Sequence, residues 1–165
     1  MTRAPLSVPH TILFVCMGNI CRSPTAEGYL RHHLAAAGAL DRFTVDSAGT
    51  HAYHVGNPPD ARATATAASR GIDLTGLRAR QVAPGDYARF DLILAADEDN
   101  LRILQSRSPG QGARLELMLS TSPRFGEIRE VPDPYYGGQD GFEFMCDLLD
   151  EATHHLADQL LASTG

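Results

Sequence analysis

The chain contains no lysine, only three cysteines, and no hydrophobic run long enough to cross a membrane. Each scarcity narrows the field. Three cysteines are too few, and odd in number, for the disulfide framework of a small secreted domain. MTRAPLSVPH carries no apolar stretch ahead of the first strand-like segment, so no signal-peptide pattern is present. A reducing, cytoplasmic setting is the expectation. No segment approaches the roughly 18 apolar residues of a spanning helix, and no membrane partner is expected. All 14 basic residues are arginine, against 20 acidic ones, for a formal net charge of −6. That balance disfavours nucleic acid as a partner and, at first sight, an anionic substrate as well.

What is present is a globular composition, 165 residues with 43% hydrophobic and 21% charged, neither a disordered chain nor a coiled coil. The length suits one domain over 1–165 with a core of its own; residues 1–9 read as a flexible N-terminal segment. Residues 11–15 (TILFV) predict a buried strand. Ser23 as N-cap and Pro24 at the first helical position predict a helix that Gly38 ends. Residues 43–48, 90–96 and 114–119 predict three further strands. Helices are expected over 60–70, 97–105 and 142–161, and a long proline- and tyrosine-bearing loop over 121–141. Strands alternating with helices imply an α/β protein, a parallel sheet covered by helices on both faces.

The chemistry concentrates in Cys16-Met17-Gly18-Asn19-Ile20-Cys21-Arg22-Ser23, between a strand end and a helix N-terminus. Ligands of open α/β sheets bind outside the carboxyl ends of the strands, where this loop falls. A loop feeding a helix start aims several unpaired N–H groups at one point, in the positive field of the helix dipole. That suits a tetrahedral dianion, to which Arg22 adds a planar two-pronged donor. A thiol in such a field is acidified, and Cys16 is expected to react as the thiolate, attacking phosphorus. Ser23 is placed to donate its hydroxyl to the Cys16 sulfur. Gly18 allows close backbone approach, and Asn19 suits a left-handed turn. The competing reading is a buried structural cysteine ahead of a capped helix.

The segment VCMGNICRSPTAE resembles the low-molecular-weight protein tyrosine phosphatase family. DSAGT at 46–50, HVGNPPDARA at 54–63, RARQV at 78–82, FDLILAADEDNL at 90–101 and VPDPYYGG at 131–138 follow in the family's order, so the resemblance spans roughly residues 11–160. It implies a three-layer, flavodoxin-like sandwich on a four-stranded parallel sheet of order 2-1-3-4. It implies hydrolysis of phosphotyrosine, and of small aryl phosphates, through a phosphocysteine. Cys16 is then the nucleophile, Arg22 the phosphate-binding arginine, Ser23 the support of the thiolate and Asp133 the general acid. Pro134 removes a backbone donor and stiffens the turn that carries Asp133. Met17, Gly18, Asn19, Ile20 and Cys21 complete the phosphate loop. Tyr53, Tyr135 and Tyr136 line the substrate crevice, with Tyr53 where many relatives carry tryptophan. The resemblance also implies a reversible Cys16–Cys21 disulfide that guards the nucleophile. No cofactor and no metal are expected.

One departure from the family stands out. Leu77 occupies the place before Arg78-Ala79-Arg80-Gln81 where some relatives carry a histidine bonded into the network around the loop asparagine, leaving Ser47 as a brace for Asn19. The seven histidines form no metal pattern: His32-His33 and His154-His155 are adjacent pairs on helices, and His51 and His54 read as surface groups beside the crevice. Asp97, Glu98 and Asp99 read as a helix-start cluster, and Cys146 as core. The readings carried against phosphatase are an arsenate reductase, a phosphocysteine carrier and a non-catalytic phosphotyrosine-binding module. The first typically needs resolving cysteines in a downstream loop, and residues 70–100 contain none; carriers lack the acid loop that is present here as Asp133-Pro134-Tyr135-Tyr136; the third would most simply have lost Cys16 or Asp133. The partner implied is a phosphotyrosine protein, by analogy a bacterial tyrosine kinase of surface-polysaccharide export, with the chain a monomer or weak oligomer.

Overall fold

The computed structural model describes residues 9–162, so the expected flexible segment lies outside the described residues but for Pro9. Strand β1 (Thr11–Cys16) is apolar along most of its length, and five of its six residues are buried, as a strand covered on both faces requires. It pairs in parallel with β2 (Thr44–Gly49) on one side and β3 (Leu92–Ala95) on the other, and β4 (Arg114–Leu117) lies outside β3. The order 2-1-3-4 is the one the resemblance implied.

Alternation along β1 sorts the core into two layers. Ile12, Phe14 and Cys16 face the side covered by α1 (Arg22–Ala36), α2 (Ala61–Ser69) and α5 (Gln139–Ala162). Leu13 and Val15 face Tyr87 of α3 (Asp86–Arg89) and Leu104 of α4 (Glu98–Arg107). Phe14, Leu30, Leu34 and Phe142 are each at most 1% exposed; burying a side chain of this size is worth roughly 1.5–3 kcal/mol. Helix α1 passes so close to the following chain that a Cβ at Gly28 would sit 2.6 Å from Leu74 Cδ2 and 2.8 Å from Ile72 Cγ2. It ends as expected at Gly38, whose φ is +69°. The N–H groups of Gly38 and Ala39 return to the carbonyls of Ala35 and Leu34, satisfying two of the helix's terminal acceptors.

The helix start differs from the expectation. Cys21, not Ser23, occupies the N-cap, with no side-chain cap. Ser23 and Pro24 lie inside the first turn, and the serine hydroxyl meets the Cys16 sulfur, the other role expected of it, without capping the helix. Other boundaries shift by a few residues. Strand β4 gives way to a 3-10 turn over Met118–Thr121, and α5 begins at Gln139, three residues ahead of its expected start. The short α3 was not anticipated.

The chain leaves β1 through α1 to reach β2, while β3 lies on β1's other side. The sheet order therefore reverses at the carboxyl end of β1, which opens a crevice at this place. Cys16 is the last residue of that strand.

Candidate active site

None of the backbone N–H groups from Gly18 to Arg22 donates to another protein group among the described residues. The loop keeps them unpaired because Asn19 turns it in the left-handed region, at φ 58°, where asparagine is among the few tolerated side chains. Asn19 is 3% exposed and uses its whole amide. Its Oδ1 accepts from the Arg80 N–H at 3.0 Å, and its Nδ2 donates to Ser23 Oγ at 2.8 Å and Ser47 Oγ at 3.0 Å. The Ser47 hydroxyl in turn donates to Glu27 Oε1 at 2.8 Å.

Ser23 Oγ accepts from Asn19 and lies 3.0 Å from the Cys16 sulfur, within reach of its own proton; the Ala48 carbonyl at 3.4 Å is the more distant acceptor. The Ser23 N–H points to the same sulfur at 3.4 Å. Ser47 is thus a brace for Asn19, as sequence suggested. Leu77 packs against the hydrophobic core instead of entering the network. The buried Glu27, unanticipated, anchors the network's far end and takes Arg31 Nε at 2.9 Å. Burial pushes the Glu27 carboxyl above its ordinary range, against the opposing pull of Ser47 and Arg31.

Arg22 is 2% exposed. Its NH1 donates to Asp97 Oδ2 at 2.7 Å and to the Val131 carbonyl at 3.0 Å, and its NH2 lies 3.7 Å from Asp133 Oδ2. Burial works against its charge, but Cys16, Asp97 and Asp133 outweigh that and push its pKa further up. Asp97 does cap α4, accepting from the Asn100 N–H at 2.8 Å. It is also the aspartate that aligns Arg22, a role hidden by its place in an acidic run. Asp133 Oδ1 accepts from the Tyr135 N–H at 3.0 Å, which holds the carboxylate at the crevice edge.

The crevice itself, of about 130 Å³, is lined by Cys16, Met17, Gly18, Ile20, Cys21, Arg22, Tyr53, Asp133, Tyr135 and Tyr136. All the sequence-predicted residues therefore converge, except that Asn19 and Ser23 stand behind the loop rather than in its mouth. His54, read from sequence as a surface group, lines the crevice too; a Cβ at Gly18 would meet its ring at 2.8 Å. Tyr53 and Tyr136 form an exposed rim, 71% and 94% accessible. Tyr53 stacks on His51, with ring centroids 5.0 Å apart, and Tyr135 meets Tyr136 edge to face at 4.9 Å. Cys21 is buried and reduced. Burial first, then Asp60, Cys16 and Asp133, pushes its thiol far up, so it stays protonated. Cys146 is core, as expected.

A thiol at a strand end, under a ring of unpaired amides with an aligned arginine and a facing carboxylate, defines a class: an α/β protein with a cysteine set beneath a loop of free N–H donors. Comparison with known proteins places it within that class. Residues 11–164 match the family model of the low molecular weight phosphotyrosine protein phosphatases. The low molecular weight phosphotyrosine protein phosphatase of Schizosaccharomyces pombe is 47% identical over 135 residues, 79% of this chain and 84% of the relative. The crystal structure of a protein tyrosine phosphatase from Entamoeba histolytica superposes with a TM-score of 0.88 at 36% identity, covering 94% of this chain and 99% of the other. YfkJ of Bacillus subtilis gives a TM-score of 0.88 at 33% identity, covering 98% and 100%. The chain belongs to the low molecular weight phosphotyrosine protein phosphatase family.

Proposed function

We propose that this protein-tyrosine phosphatase works through Cys16 as nucleophile and Asp133 as general acid and base. The observation that carries the reading is the hydrogen-bond chain from Asn19 through Ser23 to the Cys16 sulfur. With Cys16 as the thiolate, it leaves the Ser23 proton for the sulfur and the loop amides for a phosphate. In the first step the Cys16 thiolate attacks phosphorus; the S–P bond forms as the P–O bond to the phenol breaks. Asp133, protonated, gives its proton to the departing oxygen, which otherwise leaves as a phenolate whose conjugate acid has a pKa near 10. A placed acid is worth on the order of 10²–10⁴-fold. In the second step Asp133 takes a proton from water, whose oxygen attacks phosphorus. The S–P bond breaks, and the Ser23 hydroxyl stabilises the thiolate that leaves. Met17, Gly18, Asn19, Ile20, Cys21 and Arg22 supply the loop that grips the phosphate, and Tyr53, Tyr135 and Tyr136 supply aromatic faces for the substrate ring.

The same reading makes Cys21 a redox guard. Peroxide oxidises the Cys16 thiolate to the sulfenic acid; the Cys21 thiol then condenses with it, forming the disulfide and releasing water. The substrate class is a phosphotyrosine protein, with a bacterial tyrosine kinase of polysaccharide export as the partner the resemblance favours, and the 165 residues act as one domain. Among the described residues no helix is long and apolar enough to cross a membrane.

The test is hydrolysis of aryl phosphates by wild type, Cys16→Ser and Asp133→Asn. Cys16→Ser should be inactive, and vanadate should inhibit the wild type. Asp133→Asn should lose about 10²–10⁴-fold on phenyl phosphate and progressively less as the leaving phenol becomes more acidic. Activity surviving in Cys16→Ser, or a loss in Asp133→Asn that ignores the leaving group, would overturn the mechanism.

A further inference from the structure

The loop that carries Asp133 has few hydrogen bonds to the rest of the fold, although Asp133 faces Arg22 at 3.7 Å and Tyr135 packs against the core. Among the described residues, the hydrogen bonds of residues 132–138 stay within the loop or reach the first turn of α5, from Tyr135 N–H to Asp133, Gly137 N–H to the Pro134 carbonyl and Gly141 N–H to the Gly138 carbonyl, with one exception. Arg62 NH2 donates to the Tyr135 carbonyl at 3.0 Å.

Arg62 is itself held rigidly. Its Nε and NH2 fork onto the two oxygens of Asp60 at 3.1 and 3.0 Å. Asp60 caps α2 by accepting from the Arg62 and Ala63 N–H groups, and its own N–H donates to the Ile20 carbonyl at 2.8 Å. The guanidinium also lies over the Phe142 ring, 4.7 Å from its centroid, and 5.5 Å from that of Tyr135. An unbroken path therefore runs from the cysteine loop through Ile20, Asp60 and Arg62 to Tyr135, whose N–H holds the Asp133 carboxylate.

We infer that Arg62 is the latch of the acid loop, a positioning residue that registers Asp133 against the cysteine loop for proton transfer. The inference rests on the reading of Asp133 as general acid. Its planar fork matters as much as its charge: the Nε/NH2 edge of the guanidinium binds Asp60 while NH2 also reaches the Tyr135 carbonyl, a geometry that a lysine ammonium cannot reproduce. A misplacement of the acid by about 1 Å can cost on the order of a hundredfold, so a small loosening at Tyr135 has a measurable consequence.

The experiment measures kcat/KM on aryl phosphates of graded leaving-group pKa for wild type, Arg62→Ala, Arg62→Lys, Asp133→Asn and the double variant Arg62→Ala/Asp133→Asn. Folding is checked by circular dichroism, and the nucleophile by the rate of Cys16 alkylation with iodoacetamide. Arg62→Ala and Arg62→Lys should both lose about ten- to a hundredfold on phenyl phosphate, less on acidic phenols, with alkylation unchanged. Because Arg62 acts through Asp133, the double variant should be no slower than Asp133→Asn alone. An equal loss for every leaving group, an additive double variant, wild-type rates in Arg62→Lys, or altered alkylation would each overturn the latch. If Asp133→Asn itself shows no leaving-group dependence, the general-acid reading fails, and the latch with it; a normal Asp133→Asn dependence with a flat Arg62→Ala loss removes the latch alone.

Discussion

Replacing Asn19 by alanine removes three hydrogen bonds at once, those to the Arg80 N–H, Ser23 and Ser47. It also puts a side chain that does not favour the left-handed region at φ 58°. At about 1 kcal/mol net for each bond and about 1 kcal/mol for the backbone conformation, the loss comes to about 4 kcal/mol. Domains of this kind unfold at a cost of only about 5–15 kcal/mol, so the variant folds with little to spare. With a urea dependence near 2 kcal/mol per molar, the unfolding midpoint should fall by about 2 M. Ser47→Ala is the internal comparison. It cuts one of the Asn19 bonds and the bond to Glu27 but leaves the turn intact, so its midpoint should fall by about 1 M. Equal shifts for the two variants would refute the reasoning, because they would mean that the Asn19 amide and its turn contribute no more than the two bonds of Ser47.

Two further perturbations test the support of the loop. Burial raises the folded pKa of Glu27 above its unfolded value, near 4.3, so the native state holds that proton to higher pH. The associated stability is complete below the unfolded pKa and is lost as pH rises through the folded one. Glu27→Gln lacks this titration, and its urea midpoint relative to wild type should climb between pH 4 and neutrality; a relative midpoint that falls would reverse the sign of the argument. Gly28→Ala should gain about 1 kcal/mol from helix propensity and lose about 1–3 kcal/mol to the contacts at Leu74 and Ile72, giving an unchanged or lower Tm. A rise of about 2–4 °C, the equivalent of 1 kcal/mol here, would mean that those side chains move aside without cost.

Sequence carried the parts whose physics is local. The apolar β1 segment, the left-handed Asn19, the Gly38 stop and the Asp60 start are each readable from one residue type in one setting. The Cys16-to-Ser23 pattern carried the family resemblance. Residues whose work depends on what folding brings beside them stayed hidden. Asp97 looked like a third of an acidic helix start, and only the placement of β3 beside β1 sets it against Arg22. One clue was available, since it follows the carboxyl end of a strand, where ligand-handling groups of such sheets collect. Glu27 lies four residues from Ser23 and from Arg31, on one helix face. That spacing reads as a solvent-exposed ion pair until the buried Ser47 is placed against it. Arg62 contacts Tyr135 across 73 residues, a separation no local rule reaches. Of the two roles sequence gives Ser23, helix cap and partner of the Cys16 sulfur, folding keeps only the second, because the helix already begins at Arg22.

The net charge of −6 does not oppose a phosphate substrate, yet the immediate surroundings of Arg22 offer less positive charge than its presence suggests. Two carboxylates lie within 4 Å of its guanidinium, Asp97 at 2.7 Å and Asp133 at 3.7 Å. Asp97 alone offsets the guanidinium charge, so the local count of full charges is not cationic. Attraction for an oxyanion must come from the unpaired amides between Gly18 and Arg22 and from the start of α1, whose dipole is equivalent to roughly half a positive charge. Amides act only at hydrogen-bond range and in fixed directions, so a bulk polyanion passing at a distance feels little of them. A tetrahedral group that enters the loop meets them all. Arg22 fits the same logic. Its NH1 is consumed by Asp97 and the Val131 carbonyl, so what remains for substrate is the edge formed by Nε and NH2. In the proposed mechanism that edge is the two-pronged donor for two oxygens of one phosphate. The acidic partners that cancel its far field are what hold that edge in place.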